Sequence, residues 1–401
     1  MIRRFRVISP AVMISIIAAA TLALSPPSCC RSDPVTGKVR LIYLGDALGS
    51  SPVPYLKDDP LISVTPVLAC KMWYPYRTIR KSLRVYLPRT LASLNQSCDI
   101  LILSDANVMS FESKHLFWFS SQVEVGSMGL AMIGGFESFG GHGFQSWEST
   151  TVSKVLPVNC QPFYDASGQI VITNGQCPLV SNLPWDTLGD SNFIEGNVVT
   201  SKSAADTVAL FSDANPLLVW WDYGSGRSVA MAGDWTPGGG ARFMEWDYYG
   251  DFASNLVLFT SKEEVPQDLE LLHRVREGLV VYREVKGYLY SVLEFAEMFG
   301  ANMRSIEARI SESEDLRRSA ARSYMARDFE IAHQYVQDSL DILERSVEDA
   351  LEAKDRAMAW VFVSEWLAVI STCILSGLVL YELMVSRRLY RSTGSSIFTK
   401  D

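Results

Sequence analysis

The sequence predicts an α/β domain built on a largely parallel sheet, followed by long amphipathic helices and one membrane-spanning segment. Three observations carry this. Short apolar runs that stop abruptly in glycine or aspartate alternate with helical patterns, the rhythm of a parallel sheet covered on both faces. Beyond Pro266 apolar residues recur at steps of three and four between dense charges. Ala359 to Val385 is then almost wholly apolar, and a helix crosses a bilayer with roughly 20 such residues.

A chain of 401 residues exceeds what one compact core usually uses, so two or three units are expected. Net charge is −9 and no Lys/Arg-rich tract lies mid-chain, which argues against a nucleic-acid partner, since phosphate binding needs clustered cations. Residues 1–28 read as a signal peptide or signal anchor: Arg3, Arg4 and Arg6 precede an apolar run from Val7 to Leu24, then Ser25-Pro26-Pro27. Arg387, Arg388 and Arg391 follow the C-terminal span, and Glu348, Asp349, Glu352 and Asp355 precede it. By the positive-inside rule the tail, 386–401, is cytoplasmic and residues 38–355 are extracytoplasmic.

Val39 to Gly45 is the first strand, tipped by Asp46, and Leu61 to Ala69 the second. Arg77 to Gln96 holds helical material, with Pro88 suited to the first position of its last helix. Asp99 to Leu103 is a buried strand running into Asp105-Ala106-Asn107. Ser110 to Gly126 is a helix capped by Ser110 or Ser113, and it leads to the strand Leu130–Ile133. A turn-rich excursion, Leu156 to Leu188, carries Cys160 and Cys177. They flank turns in a compartment where disulfides persist, and are expected to pair. Thr207–Phe211, Leu217–Tyr223 and Arg227–Ala232 are strands, the last two joined as a hairpin through Gly224-Ser225-Gly226, and Glu245 to Ser261 is a closing helix. Residues 266–356 form a helical stalk, a hairpin or small bundle. One run places Val275, Leu279, Tyr282, Leu289, Val292 and Ala296 on its apolar face; after a break at Gly300, another places Ala332, Val336, Leu340, Leu343, Val347 and Leu351.

The chemistry-bearing residues fall where strands end. Asp46, Asp105, Asn107, Asp234 and Trp235 lie at four such ends with the stretch Gly134-Gly135-Phe136-Glu137-Ser138 and His142, and ligands of open α/β sheets bind at that edge. Asp and Gly also terminate strands for purely local reasons, which is the commoner explanation of any one of them. No cysteine or histidine cluster has metal-site spacing, and neither a metal nor a cofactor is expected.

The glycine stretch Gly134 to Gly141, followed by Leu156-Pro157-Val158, resembles the glutamine amidotransferase-like family. That family is a branch of the class I glutamine amidotransferase-like superfamily, related to trehalose-utilisation-type proteins. Asp99 to Asp105, Tyr223-Gly224-Ser225-Gly226-Arg227 and the Trp246/Tyr249 helix are similar to its other signatures, over about residues 38–262. The resemblance implies a flavodoxin-like, doubly wound α/β sheet. It also implies where a nucleophile would stand, and there the chain departs: Gly134, Gly135 and Phe136 occupy the elbow, and Gly233-Asp234-Trp235 stands where a His-x-Glu would follow. Without a thiolate and its base that hydrolysis cannot run. The expectation is a membrane-anchored module that senses a small ligand or binds membrane or envelope proteins through the stalk. The alternative is a hydrolase using Asp46, Asp105, Glu137 and Asp234 on a carbohydrate or other small envelope substrate.

Overall fold

The computed structural model describes residues 32–33, 35–46, 51–143, 145–299 and 304–395, with side chains to Arg388. The expected signal segment, Phe144, Gly300 and the last six residues lie outside the described residues. The chain divides into two compact units, the first ending at Arg276 and the second starting at Glu277.

The first unit opens with β1 (Val39–Gly45), α1 (Val53–Asp58), β2 (Ile62–Leu68), α2 (Tyr76–Tyr86), α3 (Leu91–Ser97), β3 (Ile100–Ser104), α4 (Ser113–Glu124) and β4 (Gly129–Ile133). The excursion contributes short strands β5 (Val158–Cys160), β6 (Ala166–Gly168), β7 (Ile170–Ile172), β8 (Ile194–Gly196) and β9 (Val199–Ser201). Then follow β10 (Asp206–Phe211), β11 (Pro216–Tyr223), β12 (Gly226–Met231) and α5 (Tyr249–Thr260). One mixed sheet runs in the order β2-β1-β3-β4-β12-β11-β10-β7. Its first five strands are parallel; β12, β11, β10 and β7 pair antiparallel. β3 and β4 are buried along their whole length, which is why they read as unbroken apolar runs.

Register lines up the carboxyl ends. Gly45 pairs with Leu68 and with Ser104, Ser104 with Ile133, and Ile133 with Met231. The residues that follow these five therefore emerge along one edge. After β1 the chain crosses to β2 on one side and later returns to β3 on the other, so the order reverses around β1. The crevice beside such a reversal is where open α/β sheets bind ligands. Gly45 and Gly135 are required there: both have φ near +149° (148° and 149°), and an added Cβ would stand 1.7 Å from the Ser104 carbonyl oxygen at Gly45 and 2.5 Å from Asp105 Oδ1 at Gly135.

Three local expectations are corrected. α3 starts at Leu91 with Thr90 as its cap, accepting from the Ser93 N–H at 3.1 Å, so Pro88 precedes the helix. α4 is capped by Glu112, whose N–H donates to His115 Nδ1 at 3.3 Å, rather than by either serine. Cys160 and Cys177 are free thiols. Pairing of β5 with β9 fixes Cys160, whose N–H donates to Glu148 at 2.7 Å, whereas Cys177 follows β7 in a turn closed onto Asn174. The two thiols are held by different elements.

α6 (Leu269–Glu297) begins in the first unit, and its remainder opens the second, with α7 (Arg304–Met325) and α8 (Phe329–Ser395). In the second unit Leu279, Tyr282, Leu289 and Val292 are buried, as are Ile306, Ile310, Ala320 and Tyr324 of α7 and Ala332, Val336 and Leu343 of α8. Ser313 donates to the Tyr282 hydroxyl at 3.0 Å, and Lys286 pairs with Glu314. α7 is an addition to the expected pair of runs. It is dense in charge and buries small residues such as Ser313 and Ala320, so its apolar stripe is faint. Low in α8 the stripe also shifts: Ser346 and Ala350 are buried while Val347 and Leu351 are half-buried. Within Phe329–Arg388 lies a window of mean hydropathy 2.0, long and apolar enough to cross a membrane, none of it buried among the described residues.

Candidate functional site

The strand-end residues form a buried, hydrogen-bonded constellation. Asp46 follows β1 and accepts from the Tyr43 hydroxyl at 3.1 Å. Asp105 follows β3 in the left-handed region (φ 47°), a conformation that aspartate tolerates better than most side chains. That turn aims its carboxylate along the edge. Oδ1 accepts from the Glu137 N–H at 2.6 Å and Oδ2 from the Cys70 thiol at 3.3 Å. Asp234 accepts from the Thr236 N–H and hydroxyl, at 2.8 and 2.7 Å, and from the Tyr164 hydroxyl at 3.5 Å.

Asp46, Asp105 and Asp234 are all buried. Burial, and then the Asp105 carboxylate, push Asp46 up to about 7. Burial pushes Asp105 up to about 6 against the Glu137 N–H that favours its charge. Burial holds Asp234 well above the ordinary carboxylate range, with Asp105 and Asp46 adding to the effect. Few charges can coexist in so small a volume, so the trio ionises at higher pH than ordinary carboxylates, and near neutrality it mixes acid and carboxylate forms that offer both donors and acceptors. Tyr74, just after β2, presents a buried hydroxyl with no hydrogen-bond partner among the described residues, and burial followed by the Asp46 charge raises it to about 12. An unpaired buried hydroxyl is costly unless something else satisfies it.

The other expected residues divide into those the edge leaves open and those it consumes. Phe136 is half-buried, stacks on Tyr164 with ring centroids 4.4 Å apart, and meets the exposed His142 ring edge-on at 5.9 Å. His142 touches none of the three aspartates through a hydrogen bond. Gly134 and Gly135 act through backbone: the Gly134 N–H donates to Met231 O at 2.8 Å and the Gly135 N–H to Asn197 Oδ1 at 3.0 Å.

Glu137, Ser138, Asn107 and Trp235 are spent inside the protein. Glu137 accepts from the Lys71 N–H at 2.5 Å and from Asn107 Nδ2 at 2.9 Å, which ties the ends of β2, β3 and β4 together. The Ser138 hydroxyl donates to Ile133 O at 2.5 Å, which makes it a turn brace rather than a nucleophile. Trp235 is fully buried, donates to the Ser104 hydroxyl at 2.9 Å and stacks on Tyr43.

Four residues enter the site that were not expected there: Cys70, Tyr74, Tyr164 and Asn197. Cys70 and Tyr74 follow the second strand, a position that marks the other members. Tyr164 and Asn197 come from the turn-rich excursion, where no local pattern points to them. The Cys70 thiol is raised above its ordinary value by burial and by the Asp105 and Glu137 charges, so it is held as an inert S–H. Among the described residues no group of three or more His, Cys, Asp or Glu is arranged to hold a metal ion.

Residues 80–261 match the family model described as "Putative glutamine amidotransferase". No curated protein matches. Among solved structures, the chain is similar to cytoplasmic protein STM3548 from Salmonella typhimurium: 20% identity, 55% of this chain and 99% of that one, TM-score 0.45. It is similar to cytoplasmic protein STM1381 from Salmonella typhimurium LT2 at 19% identity, over 55% and 98% of the two chains, with TM-score 0.44. A β-galactosidase from Bacillus circulans sp. alkalophilus matches at 11% identity over 57% of this chain and 32% of that one, TM-score 0.30.

Proposed function

We propose that the α/β unit, a glutamine amidotransferase-like domain over residues 80–261, is a binding module for a small polar ligand, carried on a membrane-anchored chain. Its sheet order, with the reversal beside β1, is read as flavodoxin-like, and that reversal is the ligand crevice. The observation that carries the reading is the buried Tyr74 hydroxyl, without a hydrogen-bond partner among the described residues and under the charge of Asp46, at a crevice whose three buried aspartates are all raised above the ordinary carboxylate range. Protonated carboxyls and a phenol donate while the ionised carboxylates accept, which suits a hydroxyl- or amide-rich molecule.

Amidotransferase chemistry is not supported by these residues. The sole thiol among the site residues named above faces carboxylates that oppose its ionisation, and His142 makes its ring contact with Phe136. A nucleophile needs a base within hydrogen-bond reach.

A second reading keeps a footing in the raised carboxyls. Asp46 near 7 and Asp105 near 6 are values that suit acid–base work, so hydrolysis of a carbohydrate or similar substrate stays the alternative.

Full-length protein in neutral detergent separates these. The expectation is no ammonia from glutamine above a buffer blank, no release from nitrophenyl glycosides, and a thermal shift by a member of a neutral sugar and polyol panel that Tyr74→Phe abolishes. Glutamine turnover lost in Cys70→Ala would overturn the proposal. Glycoside turnover lost in Asp46→Asn would transfer it to the hydrolase.

A further inference from the structure

A groove of about 420 Å³ lies between α2, the connection that follows it and the first turn of α4. Volumes of this order hold small-molecule ligands. Its floor is apolar, from the buried Leu83 and Leu87, and its walls carry Arg80 and Arg84, one helical turn apart on α2, with Arg89 and Lys114. Glu112 is the lone acid in the lining, and it is already paired with Lys114 at 2.7 Å. Arg80 rests over the Tyr76 ring at 5.3 Å. Arg84 and Arg89 make no hydrogen bond or ion pair among the described residues. A chain of net charge −9 thus concentrates four cations and one acid around a single cavity. Internal counter-charge does not explain that arrangement.

We propose that this groove binds a phosphate-bearing anion, the guanidinium forks of Arg84 and Arg89 holding the phosphate and Leu83 and Leu87 receiving the apolar remainder. Arginine matches phosphate oxygens with paired, charge-assisted hydrogen bonds, and freely exposed forks lose little by exchanging water for them. The helix start at α4 adds N–H groups of favourable sign. Glu112 opposes the ligand and sets an upper bound on affinity. The site shares no residue with the strand-end constellation and stands independently of it.

The phosphate could belong to a soluble metabolite or to a lipid headgroup, and calorimetry on full-length protein in neutral detergent distinguishes them. One arm titrates inorganic pyrophosphate, the other a short-chain phosphatidylglycerol. At least one binds at low ionic strength, and binding weakens as salt rises. The double variant Arg84→Glu/Arg89→Glu binds that anion about tenfold or more weakly, while Arg345→Glu, an exposed reversal in α8, leaves it unchanged. Glu112→Gln tightens it, a readout that a misfolded variant could not produce. Pyrophosphate binding assigns a soluble ligand, and binding of phosphatidylglycerol alone assigns a headgroup. No binding by either anion, or equal binding by the double variant and the parent, overturns the proposal.

Discussion

Asp46 shows how one buried carboxyl sets a condition on the whole domain. It sits at the end of a strand whose register is locked on both sides, so it cannot swing to water. Folded, it holds its proton up to about 7; unfolded, it loses it near 4. Between those values the folded state binds more protons than the unfolded one, so stability falls as pH rises through that window. The penalty is absent below the unfolded value and complete above the folded one, on the order of a few kcal/mol for Asp46 alone. Asp105, raised to about 6, acts in the same direction over a narrower span. Asp46→Asn keeps an oxygen to accept from Tyr43 and has no charge to bury. The variant is expected to exceed the parent at pH 8 by about 2 kcal/mol and to match it near pH 4. Urea unfolding of the full chain in detergent, followed by near-UV circular dichroism, measures this. An unchanged pH profile in the variant would show that Asp46 does not bear the penalty.

Elements differ in how far they could be read from residues alone. Strand ends were legible because a buried parallel strand is an apolar run, and its end in Gly-Asp or Asp-Ala-Asn breaks that run sharply, as at Gly45-Asp46 and Ser104-Asp105. α7 was not legible because, beyond Ile306 and Ile310 in its first two turns, its buried face is Ser313, Ala320 and Tyr324 among dense charges. Partners far apart in sequence were not legible either: Tyr164 reaches Asp234 across 70 residues, and Arg276 reaches Asp59 across 217. That last pair is where α6 joins the first unit. Arg276 Nε donates to Asp59 at 3.0 Å and its Nη1 to Asp251 at 2.7 Å, while His273 meets the other Asp251 oxygen at 2.6 Å and stacks on Tyr248. Burial alone would raise Asp251, yet the His273 hydrogen bond and the Arg276 charge outweigh it and hold the carboxyl below its ordinary value. Arg276→Met would deprive two buried carboxylates of the cation they share, leaving Asp251 to His273 and Asp59 to the Leu61 N–H, and a cost of about 3 kcal/mol is expected. Adding Asp59→Asn and Asp251→Asn to that variant should recover part of it. A loss below about 1 kcal/mol in the single variant would mean that water already satisfies these groups.

At the scale of the whole molecule, the question is which side of a membrane the strand-end site faces. The apolar stretch of α8 leaves Trp360, Phe362, Trp366, Leu375, Leu378 and Tyr381 each more than half exposed among the described residues. So much contiguous apolar surface has a physical sense if lipid covers it. Arg387, Arg388 and Arg391 follow within six residues of Val385, and Glu348, Asp349, Glu352 and Asp355 precede the stretch. For such a helix the positive-inside rule predicts that the C-terminus faces inward and that everything before it that has not crossed elsewhere lies outside. The expected outcome is specific. In spheroplasts expressing the chain with a C-terminal epitope, added protease degrades the α/β unit and leaves a short tagged fragment, containing the apolar stretch, with the membranes. Replacing Arg387, Arg388 and Arg391 by glutamine weakens that bias, so a fraction of the tag becomes accessible. A full-length chain that resists protease until the membrane is permeabilised would reverse the orientation. The three aspartates would then face the cytoplasm, and the polar ligand would have to be sought among its solutes.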